Sequence, residues 1–197
     1  MKEFENNLIN NGITIIAGVD EAGRGPVAGP VVAAAAILRN DLEYDYINDS
    51  KVLTKKQRKI AFNKIKQEAL AYSYIIIDHE VIDKINILEA TKLAMVKAIN
   101  NLSIEPEHVL IDAVKLNIKN STSIIKGDLK SVSIAAASII AKEVRDELMA
   151  NYHLKYPNYD FINNKGYLTK KHRELIQTFG PCEIHRKTFE PIRSYYK

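Results

Sequence analysis

The sequence predicts an α/β fold organised around one central sheet, and two observations support this. Short apolar runs rich in β-branched residues, which are typical of buried strands, alternate with longer segments whose apolar residues recur at helical spacing. The chain has 197 residues, 46% of them hydrophobic. That length is enough to bury one substantial core but is short for two large domains, so we expect a single domain.

Five apolar runs predict the strands of this sheet. The first, ITIIAGV at residues 13–19, stops at Asp20 and Glu21, and the others cover residues 31–38, 73–78, 108–113 and 122–126. Between the first two runs lies EAGRGPVAGP at residues 21–30. Its glycines and prolines exclude regular structure and indicate a tight backbone path.

Four segments predict helices, at about residues 54–72, 87–101, 131–153 and 169–179. Thr54 and Thr169 fit the N-cap positions of the first and the last helix. Either Ser131 or Ser133 fits the N-cap of the long third helix. We expect the inner face of the first helix to carry three aliphatic residues: Ile60, Ile65 and Leu70.

Carboxylates stand where the predicted strands end. Asp20 and Glu21 close the first strand, Asp112 closes the fourth, and Asp128 lies just beyond the fifth. Acids at strand ends of an α/β sheet can converge on one edge, where ligands usually bind. Such a group would repel itself unless divalent cations neutralised it, and oxygen-rich sites of this kind suit Mg²⁺ or Mn²⁺.

A metal interpretation of these acids predicts a specific chemistry. Two ions about 4 Å apart activate a water and stabilise the leaving oxygen in phosphodiester hydrolysis, with no need for a cysteine or histidine ligand. The alternative is that each acid is a loop residue, a helix cap or half of an ion pair. Spacing alone leaves both interpretations open.

The last part of the chain carries its entire positive excess. Residues 142–197 contain 11 Lys and Arg against 7 Asp and Glu, whereas residues 1–141 contain 17 of each, which sum to 28 and 24. The same segment holds six tyrosines: Tyr152, Tyr156, Tyr159, Tyr167, Tyr195 and Tyr196. Cations and aromatic rings together suit a phosphate backbone and stacked sugars or bases, although an ordinary solvated surface fits the charge count equally well.

Composition also limits the cellular setting. No window approaches the roughly 18 uncharged apolar residues that a membrane span needs, and the start, MKEFENNLIN, lacks the basic-then-apolar order of a signal peptide. We therefore expect a cytoplasmic chain that does not enter membranes. With a single cysteine, Cys182, no intramolecular disulfide is possible, so the fold should depend on its core alone.

The stretch GVDEAGRGPVAGPVVAAA at residues 18–35 resembles the opening signature of the ribonuclease HII family. The resemblance continues in order through DSK at 49–51, IDA at 111–113, KGD at 126–128, SIAAASIIAK at 133–142 and NKGY at 164–167, then His172, His185-Arg186, Phe189 and Pro191. It covers roughly residues 13–192. The few departures, at Val52 and at Val114-Lys115, do not touch a proposed metal ligand.

The resemblance implies an RNase H-like fold with a five-stranded mixed sheet flanked by helices. We expect residues 1–155 to form the catalytic domain and residues 156–197 to form a basic, helical, substrate-binding extension packed on it. The implied activity is hydrolysis of RNA in RNA–DNA hybrids. It includes cleavage 5′ to single ribonucleotides embedded in duplex DNA, with 3′-hydroxyl and 5′-phosphate ends.

The resemblance also assigns the acidic site. Asp20, Glu21, Asp112 and Asp128 match the four metal-site acids of the family, and the implied cofactor is Mg²⁺ or Mn²⁺. Asp146 follows a matching stretch as well, which leaves the identity of the fourth acid open. It stands in the run Glu143, Asp146 and Glu147 of a helix, where we expect an exposed surface ion pair.

Substrate-binding residues are assigned in the same way. Gly23-Arg24-Gly25 matches the loop that reads the ribose 2′-hydroxyl mainly through backbone groups, since a backbone without a Cβ can approach a sugar closely. Tyr167 matches the tyrosine that stacks on the deoxyribose next to the ribonucleotide, where an added hydroxyl would interfere. Phosphate contacts are expected from four cations, each with a solvated surface role as the alternative: Lys51, Lys142, Lys165 and Arg186.

Three further polar residues are given non-catalytic roles. His172 and His185 lie among cations of the basic segment, and we expect hydrogen bonds or phosphate contacts from them rather than proton transfer. Ser138 lies among alanines of the third helix. We expect it to allow close helix packing, since no His–Asp partnership that could activate a nucleophile is evident nearby.

Other function classes fit the sequence less well. The sister type, ribonuclease HIII, carries an extra N-terminal domain, for which the roughly twelve residues before the first strand leave no room. A non-catalytic hybrid-binding protein would not need all four acids, and a small-molecule phosphatase gives no role to the basic, tyrosine-rich segment. We expect a monomer that binds RNA–DNA hybrids and ribonucleotide-containing duplexes, without a sliding-clamp peptide at residues 193–197.

Overall fold

One mixed sheet forms the centre of the protein, with strands β1 (Ile16–Ala22), β2 (Val31–Ile37), β3 (Ala71–Ile77), β4 (His108–Asp112) and β5 (Ser121–Ile124). The strand order is β3-β2-β1-β4-β5. Strand β2 is antiparallel to β1 and β3, and β4 is parallel to β1 and β5. This is a computed structural model that describes residues 1–48, 50 and 52–196. The predicted five-stranded mixed sheet is confirmed.

The helices are α1 (Glu3–Asn10), α2 (Lys55–Glu68), α3 (His79–Ile85), α4 (Ile87–Asn100), α5 (Val132–Lys155), α6 (Phe161–Asn164) and α7 (Lys170–Phe179). Thr54 and Thr169 cap α2 and α7 as predicted, through side-chain oxygens that accept backbone N–H groups. Ser131, rather than Ser133, caps α5: its hydroxyl accepts the Ile134 N–H at 3.2 Å. None of the helices in the described ranges is both long and apolar enough to cross a bilayer.

The two faces of the sheet bury different helices because side chains alternate along a strand. One face packs Val31, Ala33 and Ala35 of β2 against α4. The opposite face packs Val32, Ala34 and Ala36 against α5 and α2. The many alanines on strand and helix allow close approach, so α5 lies directly on the sheet.

At Gly18 the backbone of α5 lies very close to β1. A Cβ at this position would stand 2.0 Å from the backbone carbon of Ser133 and 2.2 Å from the Ile134 nitrogen. These are backbone atoms at the start of a long helix, so they cannot move away by a change of rotamer. Glycine is therefore required here by space, and its presence fixes how α5 runs beneath the end of β1.

The C-terminal segment packs on the glycine-rich loop between β1 and β2. Val27 and Ala28 of the loop join Met149 of α5 in a cluster with residues of the segment, including Tyr159, Phe161, Ile176, Ile184 and Ile192. Backbone hydrogen bonds connect the same regions, from Val27 N to the Gly166 carbonyl at 2.9 Å and from Arg186 N to the Val27 carbonyl at 2.8 Å. The C-terminal segment thus holds the loop in place, in addition to the two strands that the loop connects.

The first predicted strand is displaced along the chain. Residues 13–15 lie outside β1; the Thr14 and Ile15 N–H groups donate to the Glu107 carboxylate at 2.7 and 2.9 Å. At the other end, the ladder with β2 continues through Glu21 and Ala22. The two acids are therefore the last part of the strand rather than residues beyond it.

The first predicted helix is too long, and part of its expected inner face is wrong. Helix α2 ends at Glu68, because Ala71 and Tyr72 pair with β2 as the start of β3. Ile65 is buried, whereas Ile60 and Leu70 are exposed. The short helices α1 and α3 were not predicted; a buried Glu5 carboxylate anchors α1 by accepting the Ser133 N–H at 3.0 Å.

We expect Gly18→Ala to lower the free energy of unfolding by about 3 kcal/mol, since the new methyl group must push α5 away from β1. Chemical denaturation of the purified variant would measure this. Gly25→Ala is the matched control, because its Cβ would make only an ordinary contact, 3.5 Å from a Tyr167 ring carbon. Equal stability of the two variants would contradict the packing of α5 described above.

Candidate active site

A cleft of about 260 Å³ lies at the ends of β1 and β4, beside the glycine-rich loop. It brings together residues from distant parts of the sequence. Its lining consists of Asp20, Glu21, Ala22, Gly23, Arg24, Gly25, Ser50, Asp112, Ser138, Lys142 and Tyr167. Eight of the residues proposed above for metal or substrate binding are therefore in one place: Asp20, Glu21, Asp112, Gly23, Arg24, Gly25, Lys142 and Tyr167.

The register of the two central strands explains why the acids meet. Strands β1 and β4 run parallel, and their last paired residues are Val19 and Ile111. Asp20 and Asp112 each come one residue later, so they lie side by side at the same edge. Asp112 is fixed there by the Gly127 N–H, which donates to its Oδ1 at 2.6 Å.

Burial and mutual repulsion raise the proton affinity of this group. Burial, followed by the charges of Glu21 and Asp112, holds the pKa of Asp20 well above its usual range, against an opposing hydrogen bond from Ser138. Burial is also the main cause of the raised pKa of Glu21, where the nearby Arg24 acts in the opposite direction. Three carboxylates thus share one edge, and Arg24 of the loop lies 3.4 Å from Glu21.

The donor chemistry of this edge fits a divalent cation. Glu21 Oε2 is buried without a hydrogen-bond partner among the described residues, and carboxylate oxygens are the preferred ligands of Mg²⁺ and Mn²⁺. Within residues 1–48, 50 and 52–196, no three acidic, histidine or cysteine side chains already form a complete metal-binding group. The fit therefore rests on the charge and the unpartnered oxygen.

Asp128 and Asp146 occupy different surroundings. Asp128 is buried in a short 3₁₀ turn, Gly127–Leu129, next to the glycine that binds Asp112, but it does not line the cleft itself. Asp146 forms an ion pair with Arg58 at 3.1 Å, and Arg58 also binds Glu143 at 2.7 Å. The predicted ion pair is confirmed, but its predicted exposure is wrong, because Arg58 of α2 covers both acids.

Two buried arginines hold the glycine-rich loop from within. The Arg186 guanidinium donates to four carbonyl oxygens at 2.6–3.0 Å, those of Gly23, Arg24, Pro26 and Gly29. Arg145 of α5 donates to the Pro30 carbonyl at 2.9 Å. Burial lowers the pKa of Arg186 to about 9 and that of Arg145 to about 10.

This geometry corrects the expected role of Arg186. Its side chain is completely buried and its hydrogen bonds are directed at the protein backbone, so a phosphate contact is replaced by support of the loop. Arg186 was expected at the surface because it lies in the basic segment. The role of Arg145 was not predicted; its Nε would be 2.2 Å from a Cβ at Gly23.

Tyr167 stands at the edge of the cleft with 45% of its surface exposed. Its ring lies next to Gly25 of the loop, and the Arg145 guanidinium carbon is 5.9 Å from the ring centroid. The exposed ring and the glycine-rich loop therefore form one continuous wall beside the acids.

The remaining candidate cations are spread around the cleft. Lys142 lines it and donates to Asp146 at 2.7 Å. Lys165 lies in a neighbouring groove with Lys55 and Lys59, and burial lowers its pKa. Lys51 lies outside the described residues.

Three other polar residues differ from expectation in part. His172 and His185 are completely buried and hydrogen-bonded, so the hydrogen-bonding prediction is confirmed and the phosphate-contact alternative is wrong. Ser138 does pack closely on the sheet, but it also bonds Ser50 at 3.0 Å and Asp20. The acidic edge therefore has hydroxyl support that the alanine-rich context concealed.

Solved structures similar to this chain define its class. The ribonuclease H2 from Pyrococcus horikoshii OT3 is 29% identical, with a TM-score of 0.78 over 91% of this chain and 95% of that chain. Bst-RNase HIII in complex with Mn²⁺ gives a TM-score of 0.69 at 20% identity, over 92% of this chain and 69% of that chain, and so supports the fold alone. The protein has the RNase H-like fold, with acids at the edge of its central strands.

Sequence comparison then identifies the family. The family model described as Ribonuclease HII matches residues 17–192. Ribonuclease HII of Listeria monocytogenes serovar 1/2a is 56% identical over 194 residues, which is 98% of this chain and 74% of that protein. The chain belongs to the ribonuclease HII family and is a ribonuclease H, a hydrolase of the phosphodiester bond.

We expect Arg186→Lys to lower the free energy of unfolding by about 3 kcal/mol. Lysine keeps the positive charge, but its single ammonium group cannot donate to all four carbonyl oxygens that the planar guanidinium reaches. Denaturation of both proteins in one buffer would measure it. Arg193→Lys, at an exposed position of the same segment, should stay within about 0.5 kcal/mol of the parent. A tolerated Arg186→Lys would show that the loop is held by other means.

Proposed function

We propose that this ribonuclease cuts RNA paired to DNA and, in duplex DNA, cuts on the 5′ side of a single embedded ribonucleotide, leaving 3′-hydroxyl and 5′-phosphate ends. The observation that carries the proposal is the shared cleft, which three carboxylates line together with the glycine-rich loop and Tyr167. The loop proposed to recognise the ribose therefore lies next to the carboxylates proposed to hold the metal ions.

In this proposal Asp20, Glu21 and Asp112 hold divalent cations, Mg²⁺ or Mn²⁺, with Asp128 as the fourth acid. The raised pKa values of Asp20 and Glu21 support it, because a cation would remove the repulsion that causes part of them. When bound, such ions activate a water and stabilise the leaving oxygen. A fold relative, Bst-RNase HIII, has been solved in complex with Mn²⁺.

The choice of Asp128 over Asp146 follows from their partners. Asp146 is engaged by Arg58 and Lys142, which neutralise it within the protein. Asp128 adjoins Gly127, whose N–H orients Asp112, so a small change in the turn acts on the acidic edge. Asp128 is thus the better placed of the two to complete the metal site.

The residues of the chain supply position and selectivity. Backbone groups of Gly23-Arg24-Gly25 would contact the 2′-hydroxyl, which both donates and accepts hydrogen bonds. The Tyr167 ring would stack on the next sugar and exclude one that carries a hydroxyl. Lys142 and Lys165 would contact phosphates without reading sequence, and Lys51 stays a prediction of the same kind.

The proposal extends to the organisation of the chain. Residues 1–155 would act as the catalytic domain, and residues 156–197 as a substrate-binding extension whose cations meet the duplex backbone. The partner is an RNA–DNA hybrid or a DNA duplex containing ribonucleotides. A monomer working in the cytoplasm is the form in which we propose that it acts.

Asp20→Asn should lower cleavage roughly a hundredfold or more, because the cation site would lose a ligand. It should also raise the free energy of unfolding in EDTA at neutral pH. Because the pKa of Asp20 is raised by folding, its favourable contribution is full below the usual carboxyl pKa and is lost as pH rises through the raised value. The substitution removes a charge that destabilises the fold.

Denaturation in EDTA and in Mg²⁺, together with a cleavage assay, would test this. Added Mg²⁺ should stabilise the parent more than Asp20→Asn. Asp41→Asn is a control of opposite sign, since the hydrogen bond from Arg39 lowers the pKa of that exposed carboxyl. An Asp20→Asn variant that is destabilised in EDTA, or that cleaves like the parent, would refute the proposed metal site.

Asp128→Asn and Asp146→Asn should separate the two candidates for the fourth acid. We expect roughly a tenfold or greater loss of cleavage for Asp128→Asn. Losses of this size are typical when a residue that holds or supports a metal ligand is replaced. Asp146→Asn should mainly reduce stability, because it breaks a buried pair with Arg58. Steady-state cleavage and denaturation of both variants decide it, and the reverse pattern would assign the fourth acid to Asp146.

Tyr167→Ala should lose selectivity for the junction between RNA and DNA. We expect the ratio of cleavage at a single ribonucleotide to cleavage of a continuous RNA strand to fall about tenfold, in keeping with the energy of stacking on one aromatic ring. Tyr74→Ala, on an exposed tyrosine of β3, is the matched control. An unchanged ratio for Tyr167→Ala would exclude its proposed role.

A further inference from the structure

Two buried histidines have no role in the chemistry proposed above. His172 is the third residue of α7, and His185 lies in the C-terminal segment. Both side chains are completely buried. Their Nε2 atoms are 3.2 Å apart. At the far side of each ring, Nδ1 of His172 is 2.9 Å from the Tyr167 carbonyl oxygen, and Nδ1 of His185 is 2.9 Å from the Cys182 backbone nitrogen. Hydrogen bonds therefore run without a break from Cys182 to Tyr167.

The partners at the two ends fix where the protons are. A carbonyl oxygen only accepts, so His172 carries its proton on Nδ1, and its Nε2 is an acceptor. The Cys182 N–H only donates, so Nδ1 of His185 is unprotonated and its Nε2 carries the proton. That proton points at the free Nε2 of His172, and every bond of the chain then has one donor and one acceptor.

The opposite tautomer of His185 is disfavoured by the same contacts. The Cys182 carbonyl oxygen is 3.2 Å from Nδ1 of His185, farther than the Cys182 backbone nitrogen at 2.9 Å. A proton on Nδ1 would also face the N–H of Cys182. In addition, two unprotonated Nε2 atoms would then face each other across 3.2 Å, with no hydrogen between them.

The surroundings keep both rings neutral. Burial, and next the neighbouring ring, lowers the pKa of His185 to about 4, and burial lowers that of His172. The charged or titratable groups that act on the pair are His79, Cys182 and Asp160, and Asp160 is neutralised by Lys171 at 2.7 Å. The rings of Tyr159 and Phe161 pack against the pair and exclude polar alternatives.

We propose that this histidine relay, from Cys182 through His185 and His172, positions Tyr167 for recognition of the RNA–DNA junction. The Tyr167 carbonyl takes the His172 bond and the Thr169 N–H at 2.8 Å, while the preceding carbonyl, of Gly166, binds the glycine-rich loop. The relay thus fixes the backbone that carries the exposed ring. His172 is the positioning residue for selectivity, His185 holds it in the tautomer that donates to Tyr167, and this inference rests on the proposed role of Tyr167.

The tautomers give a test that is independent of activity. Nitrogen-15 NMR of the full chain, labelled at its five histidines and recorded at neutral pH, reports which ring nitrogen carries each proton. Signals are assigned by their loss in His172→Asn and His185→Asn. We expect a proton on Nδ1 of His172 and on Nε2 of His185. The opposite tautomer at either ring, or an imidazolium, overturns the relay.

Two matched substitutions test the positioning role. In His172→Asn the amide nitrogen takes the place of Nδ1 and can still donate to Tyr167, whereas His172→Gln reaches the place of Nε2 and gives up that bond. We expect the ratio of single-ribonucleotide to continuous-RNA cleavage to stay within about twofold in His172→Asn and to fall about tenfold in His172→Gln. Equal ratios in the two variants overturn the inference.

Tyr167→Ala, measured in parallel, separates this inference from the proposed function. If Tyr167→Ala lowers the ratio and His172→Gln does not, the positioning role is wrong while the function of Tyr167 stands. If Tyr167→Ala leaves the ratio unchanged, the proposed function of Tyr167 fails and the positioning role fails with it. The NMR result then decides only whether the hydrogen-bonded relay exists.

Discussion

Close packing of helix α5 against strand β1 sets the positions of most residues of the site. Gly18 allows the helix to start directly against the strand. Successive residues of α5 then reach each part of the site: Ser138 meets Asp20, Lys142 lines the cleft, and Arg145 supports the glycine-rich loop. Because one rigid helix makes all these contacts, the acids and the loop are held in a fixed relation.

Electrostatics explains why this arrangement is both costly and useful. The central strands bring three carboxylates to one buried edge, where desolvation and like charge oppose their ionisation. The loop beside them is held by two buried arginines without a carboxylate on either guanidinium in the described contacts. Arg145 and Arg186 are thus bound by backbone carbonyls rather than by the acids of the cleft, whereas Arg24 of the loop lies 3.4 Å from Glu21.

The sheet and the edge where the acids meet could be predicted from local patterns, whereas the roles of the glycine-rich loop and Tyr167 were implied only by the family resemblance. Apolar runs predicted every strand, and acids at their ends predicted the edge where Asp20 and Asp112 meet. Burial caused by distant elements could not be predicted in this way. Asp146 and Glu143 were predicted to be exposed because Arg58, which covers them, comes from another helix. Arg186 was predicted to be a surface cation because its four carbonyl partners are about 160 positions away.

The position of the cut on a defined substrate would decide whether this protein hydrolyses RNA at a junction with DNA. A labelled DNA duplex with one ribonucleotide would be incubated with Mg²⁺, Mn²⁺ or EDTA, beside all-DNA and all-RNA duplexes. We expect a metal-dependent cut on the 5′ side of the ribonucleotide that leaves a 3′-hydroxyl, with both controls intact. Binding of the duplex without any cut, or a cut that persists in EDTA, would contradict it.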